Sequence, residues 1–101
     1  MTAIFGILGL ACRAGQVALG NEMALEAIKR GQAALALIDG GASEGTRKKI
    51  LDACAYRSVP AHILPEGEIF RASGKDGRMA AAVKKGPFGQ RIAQLLSDDD
   101  K

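Results

Sequence analysis

The hydrophobic pattern switches between helical and strand periods along the whole chain. Ile4, Ile7, Leu8 and Ala11 recur at helical spacing behind Thr2, a capping residue, and Gly15 follows as a stop, which predicts a helix over residues 3–13. Gln16-Val17-Ala18-Leu19 is a short apolar stretch closed by Gly20, and Asn21 is placed to cap a second helix through Lys29, with Gly31 at its end. Ala33 to Ile38 is a nearly unbroken apolar run without alternation, as a central strand covered on both faces requires, and Asp39-Gly40-Gly41 ends it. Ser43 then opens a helix that puts Ile50, Ala53 and Cys54 on one face and turns Arg47, Lys48 and Asp52 toward water. Val59 to Leu64 reads as the next strand. Pro60, which has no N–H for a ladder, places its start near a sheet edge. Pro65 to Ser73 suits a short helix carrying Ile69 and Phe70, and Gly74-Lys75-Asp76-Gly77 turns the chain into a fourth strand, Arg78 to Val83. Pro87 starts a last helix with Phe88, Ile92, Leu95 and Leu96 on one side.

The order is αβαβαβαβα, an α/β pattern in which a sheet is sandwiched between helix layers. A length of 101 residues allows one domain, read here as residues 1–96, and leaves no room for separate cofactor and substrate domains. Residues 97–101 carry Asp98-Asp99-Asp100 and read as an acidic flexible tail. Hydrophobic residues make up 48% of the chain, enough for a core, but aromatics only 4%, which leaves few rings for stacking bases. Recognition of a nucleic acid would therefore rest on backbone, polar groups and charge.

The net charge of +3 understates the folded body: residues 1–96 hold 13 Lys+Arg against 8 Asp+Glu, a surplus of +5. Such a surplus favours an anionic partner, although it also serves solubility. Cys12 and Cys54 have small and apolar neighbours and no CxxC partner, so they read as buried, reduced thiols. The opening Met-Thr-Ala lacks the charged region of a secretory signal, and no apolar run approaches the ~18 residues that span a bilayer, which together predict a cytoplasmic protein without a membrane partner.

Gly40-Gly41-Ala42-Ser43-Glu44-Gly45-Thr46-Arg47 has glycines between a strand and a helix, as a phosphate loop does. The Gly-Lys-Ser/Thr ending is missing, and with it the lysine for the terminal phosphates and the hydroxyl for magnesium, so an ordinary strand-to-helix turn is the better reading. His62 is the only histidine and has no ligand-spaced partners; an edge-strand or surface histidine fits it. Glu66 and Glu68 lie in a polar loop, where paired carboxylates are usually solvated. With no convergent acid, base, nucleophile or metal set, the sequence predicts a protein that is not an enzyme and takes no cofactor or small-molecule substrate. Arg47-Lys48-Lys49 falls in the first turns of a helix, where cations oppose the dipole by roughly 0.3–1 kcal/mol each. A phosphate partner would explain that placement, and so would an exposed helix face with Lys48 and Asp52 paired at i,i+4.

The Leu8-Gly9-Leu10-Ala11-Cys12-Arg13-Ala14-Gly15-Gln16 run, then Gly20-Asn21-Glu22 and a helix ending in Lys29-Arg30-Gly31, reads as a docking edge for RNA, with helix-start N–H donors facing one way. Together with Asp39 to Lys49 and Cys54 to Pro60, these segments resemble the kink-turn RNA-binding ribosomal-protein superfamily of the L-seven-Ae type. Leu-Gly-Leu-Ala-x-Arg-Ala-Gly and the Ala-Ser-x-x-Thr-x-Lys-Lys string from Ala42 point to its bacterial YlxQ-like branch, and the likeness covers roughly residues 3 to 96. The resemblance implies a three-layer α/β/α sandwich with a mixed four-stranded sheet. It also implies an RNA surface built from the turn entering helix two (Gly20, Asn21, Glu22), the loop entering helix three (Ala42, Ser43, Thr46) and the loop after the third strand (Leu64, Pro65). Arg13 and Arg47 add charge, and Leu64 is expected to cover an extruded base.

The superfamily signature Gly-x-Asn-Glu-x-x-Lys, aligned through Arg30-Gly31, falls with Glu22, Met23 and Glu26 at its Asn, Glu and Lys positions. Asn21-Glu22 is thus displaced by one residue, a carboxylate stands where the family lysine attracts phosphate, and Gln16 replaces the basic residue that usually follows Arg-Ala-Gly. The expectation is a ribosome- or translation-associated protein whose partner is structured RNA, either ribosomal RNA or a kink-turn element. The alternative, drawn from the displaced signature, is a protein-interaction or assembly module of the translation machinery that has lost kink-turn specificity.

Overall fold

The computed structural model describes residues 2–99, and their order is α1 (Thr2–Arg13), β1 (Val17–Leu19), α2 (Asn21–Lys29), β2 (Ala33–Asp39), α3 (Glu44–Arg57), β3 (Ala61–Leu64), α4 (Glu68–Ser73), β4 (Ala80–Lys84) and α5 (Pro87–Asp99). The four strands form one sheet in the order β1-β4-β2-β3. β2 runs parallel to β3, with Asp39 opposite Leu64, while β4 is antiparallel to both β1 and β2. The sheet is therefore mixed, β2 is central and β3 is an edge strand, as the sequence led us to expect.

Alternation along β2 divides the core. Ala36 and Ile38 face a layer formed by α2 and α3, where Ala24, Ala27, Ile28, Ile50 and Cys54 are buried. Leu35 and Leu37 face the other layer, where α1, α4 and α5 bring Ile4, Leu8, Ile69, Ile92 and Leu96 to the sheet. Burying such side chains contributes roughly 1.5–3 kcal/mol each. At Gly89 of α5 a Cβ would stand 2.8 Å from both the Ala34 Cβ and the Lys84 carbonyl oxygen, so this helix meets the sheet too closely for any side chain there.

Several boundaries differ from the sequence reading for local reasons. Gly20, not Asn21, caps α2: it has φ 102 and ψ 160, makes no side-chain cap, and leaves Asn21 as the first helical residue. β3 begins at Ala61, although the Pro60 carbonyl still accepts from the Ala36 N–H at 2.9 Å. Gly67, with φ 90, shortens α4 to six residues by taking a left-handed conformation ahead of Glu68. Ser43 does cap α3, its hydroxyl accepting from the Thr46 N–H at 3.2 Å. α5 continues through Asp99, so the boundary expected at residue 97 falls inside this helix, and Asp100 and Lys101 of the expected tail lie outside the described residues. Both cysteines are free; Cys54 is buried and Cys12 half-buried. Burial pushes both thiols above their ordinary pKa, and at Cys12 the neighbouring Arg13 charge partly opposes that rise. No helix among the described residues is long and apolar enough to cross a membrane.

Candidate nucleic-acid interface

Because β4 runs against its neighbours, the C-terminal ends of β1, β2 and β3 and the start of β4 share one end of the sheet. Four connections emerge there: the Gly20 turn, Gly40–Ser43, Pro65–Gly67 and Gly74–Met79. Gly20 donates its N–H to the Ala80 carbonyl at 2.8 Å, which holds the first turn to β4. Asn21 then reaches across to the next helix start, its Nδ2 donating to Thr46 Oγ1 at 3.4 Å, and Ser43 Oγ donates to the same oxygen at 3.1 Å. The beginnings of α2 and α3 are thereby joined through exposed Asn21 and Ser43 and half-buried Thr46.

Asp39 ties the second and third loops together. It is 2% exposed, and its Oδ1 accepts from the Gly41 N–H at 2.7 Å while Oδ2 accepts from the Gly67 N–H at 3.1 Å. The loops also touch directly, because a Cβ on Gly40 would stand 2.9 Å from the Leu64 carbonyl oxygen and 3.1 Å from the Glu66 nitrogen. Asp39 appeared in the sequence only as a strand stop. The available signal was its place before two glycines, where a short side-chain acceptor commonly folds a turn onto backbone N–H groups.

The expected site residues separate into those that face outward and those that do not. Gly20, Asn21, Glu22, Ser43, Thr46 and Pro65 gather at this end with at least part of their surface open. Ala42 is 7% exposed and offers only backbone, its N–H donating to the Asp39 carbonyl at 3.0 Å. Leu64 is not available to cover a base: it is 1% exposed and packs inward with Ile69, since alternation along β3 turns it to the core. The open apolar surface of β3 and α4 belongs to Ile63 and Phe70, at 51% and 50% exposure. Arg47 does not project either. Its Nη2 donates to the Gly40 carbonyl at 2.6 Å, and its buried Nε has no partner among the described residues, so the guanidinium braces the loop. Arg13 lies apart at the end of α1, in a groove along the free edge of β1 with Val17, Leu19, Ser73 and Lys75.

Arg78, which sequence reasoning passed over, packs its Cδ 3.3 Å from where a Gly20 Cβ would be. Its Nη1 donates to the Asp76 carbonyl at 3.2 Å, Glu66 and Asp76 border the same hollow, and Glu22 and Glu44 stand in the first turns of α2 and α3. The loop end is thus mixed in charge and presents hydrogen-bonding groups more than cations. Among the described residues there is no group of three or more His, Cys, Asp or Glu side chains placed to hold a metal ion.

Comparison with known proteins gives a consistent family. The chain is 34% identical over 93 residues to a Bacillus subtilis (strain 168) protein named RNA-binding protein YlxQ, covering 91% of this chain and 93% of the relative. The chain belongs to the YlxQ family. An Enterococcus faecium protein of the same name is 32% identical over 91 residues, covering 89% of this chain and 87% of the relative. Among solved structures, a Bacillus halodurans C protein of unknown function superposes with a TM-score of 0.85 at 33% identity, covering 93% of this chain and 96% of that one. A Giardia lamblia 15.5kD RNA binding protein shares the fold, with a TM-score of 0.74 at 20% identity over 93% of this chain and 82% of the other. No family model matches the chain.

The α2 positions set against the superfamily signature are exposed or locally paired. Glu22 is exposed in the first turn, Met23 is 58% exposed, and the Glu26 carboxylate pairs with Arg30 at 2.8 Å one turn further on. Glu26 and Arg30 thereby neutralise each other where a lysine would present an unbalanced cation.

Proposed function

We propose that this protein is an RNA-binding member of the YlxQ family that docks on a structured RNA, ribosomal or kink-turn in type, through the loop end of its sheet, within the cytoplasmic translation machinery. The observation that carries this reading is the hydrogen-bonded union of the α2 and α3 starts, Asn21 to Thr46 to Ser43, beside the Gly20 turn. Two helix N-termini meet there, each with N–H groups that helix geometry leaves free for phosphate or base edges. Shape and hydrogen bonding would dominate, because the local charge is mixed.

The test is a titration against a kink-turn RNA and a matched straight duplex at two salt concentrations. Preference for the bent RNA at both supports recognition by the loop end. Equal affinities that fall together and steeply with salt would mean that only the net positive body attracts RNA, and would refute a shape-specific site.

The Glu26–Arg30 pair favours a second reading, a protein-binding module of the same machinery without kink-turn preference. Under it, partners captured from a lysate persist after nuclease treatment; under the first they leave with the RNA.

A further inference from the structure

α2 and α3 lie side by side and point the same way, joined at their starts by Asn21 and Thr46 and at their ends by the Arg57 guanidinium, which donates to the Lys29 carbonyl. Between them, on the side away from the sheet, runs a groove floored by Leu25 and Ala53 and rimmed by Lys29, Lys49, Arg57 and Tyr56. The only carboxylate on its lining, Asp52, is already paired with Lys48 at 3.2 Å. Glu22 and Glu26 border an adjoining hollow on α2 that shares Leu25 and Lys29 with the groove, and there Glu26 is paired with Arg30. The groove therefore keeps three cations around an apolar floor, whereas the loop end is mixed in charge.

Helix electrostatics account for Lys29 and Arg57, which stand in the last turns of their helices. They do not account for Lys49, in the first half of α3 and without an ion pair among the described residues. Nor does packing account for Tyr56, which is 87% exposed and yet borders the groove. A nearly bare aromatic ring among unbalanced cations, above an apolar floor, is the composition that grips single-stranded nucleic acid by base stacking and phosphate contact. Position supports it too: Tyr56 stands about 15 Å along α3 from Thr46 at the helical rise, roughly four stacked nucleotides away.

We propose that the α2–α3 groove binds a single-stranded RNA segment continuing from the structured element at the loop end, with Tyr56 stacking on a base and Lys29, Lys49 and Arg57 neutralising phosphates. The continuity rests on the function proposed above; the groove's affinity for a single strand does not.

The chain has one tyrosine and no tryptophan, so intrinsic emission reports on position 56 alone. Titrating the full chain with an unstructured RNA hexanucleotide should quench that emission saturably, with a salt slope near −2 for three neutralised phosphates. Lys49→Glu should weaken the quench about ten-fold. Tyr56→Ala, an exposed change that keeps the fold by circular dichroism, should weaken hexanucleotide binding about ten-fold in a filter assay. A kink-turn RNA with a six-nucleotide overhang on either strand should then bind more tightly than the blunt RNA, and only wild type should show the gain. If the blunt RNA binds while neither hexanucleotide nor overhang alters emission or affinity, the groove proposal is overturned and the loop-end site stands. If the hexanucleotide quenches and the blunt RNA does not bind, the loop-end reading falls and the groove remains a single-strand site. An acidic peptide that quenches where RNA does not would also overturn the proposal.

Discussion

Replacing Asp39 by Asn tests whether one buried carboxylate organises the functional end of the sheet. Both oxygens are in use, one on the Gly41 N–H at 2.7 Å and the other on the Gly67 N–H at 3.1 Å, and the side chain is 2% exposed. Asparagine keeps one acceptor and turns an NH2 group toward the other N–H, so one part-buried donor is left without its partner and the surviving bond loses its charge assistance. A charge-assisted bond is worth roughly 1.5–3 kcal/mol and an orphaned donor costs a similar amount, so the net loss should be about 2–3 kcal/mol. At roughly 4 °C per kcal/mol for a domain of this size, Tm should fall by about 8–12 °C. Thermal and urea unfolding by circular dichroism read that shift, and amide exchange should show Gly41 and Gly67 losing protection together. Asp52→Asn is the control: it also removes one negative charge, but from an exposed pair with Lys48, and should stay within about 0.5 kcal/mol of wild type. An Asp39→Asn shift under about 2 °C, or one no larger than the control's, would show that the clamp does not hold the loops.

Gly20→Ala forces a side chain into a backbone conformation that glycine alone adopts readily and brings its Cβ 3.3 Å from Arg78, so urea midpoints should reveal a loss of about 1–3 kcal/mol. Glu26→Lys leaves Arg30 unpaired and restores a cation at the family's lysine position; RNA affinity should rise and the salt slope steepen by about one to two contacts, and a flat result across a salt series would exclude α2 from the interface. The raised thiol pKa values give a signed pH dependence. In the folded chain the thiols hold their protons longer than in the unfolded one, so this stabilisation is complete below the unfolded thiol pKa of about 8.5 and is lost as pH climbs through the folded values, which alkaline unfolding with and without Cys54→Ala should show. Toward a thiol reagent, half-buried Cys12 should react well before Cys54, which is 2% exposed.

The element order was legible because each element carries its own period and its own stop. The unbroken apolar run of β2 implied cover on both faces, and Pro60 implied an edge; both features act over a few residues, and the sheet order agrees with them. Site geometry was less legible, since it depends on contacts made at long range. Nothing in the Arg47-Lys48-Lys49 string says that Arg47 folds back on Gly40 while Lys48 pairs with Asp52 and Lys49 turns to the groove. Leu64 went astray because its strand is only four residues long, with no alternation clear enough to tell which face its last residue takes. Asp39 was missed for the opposite reason: its partners, Gly41 and Gly67, are backbone groups, and one of them lies 28 positions away.

The two sides of the sheet are filled by different materials. Toward α2 and α3 the strands present mainly alanine, Ala18, Ala33, Ala36, Ala80 and Ala82, while toward α1, α4 and α5 they present Leu35, Leu37, Leu64 and Val83. An alanine layer has nothing to lose by truncation and no room for added methylenes, whereas a leucine layer is vulnerable to cavities. A saturation scan of this sheet should therefore read as two opposed maps on alternate residues of one strand: along β2, Ala36 rejects growth and Leu35 and Leu37 reject shrinkage. Because α2 and α3 rest on the thin layer, any residue that thickens it moves both helix starts together, so inherited variation beneath the site is expected to be narrower than variation on the site itself.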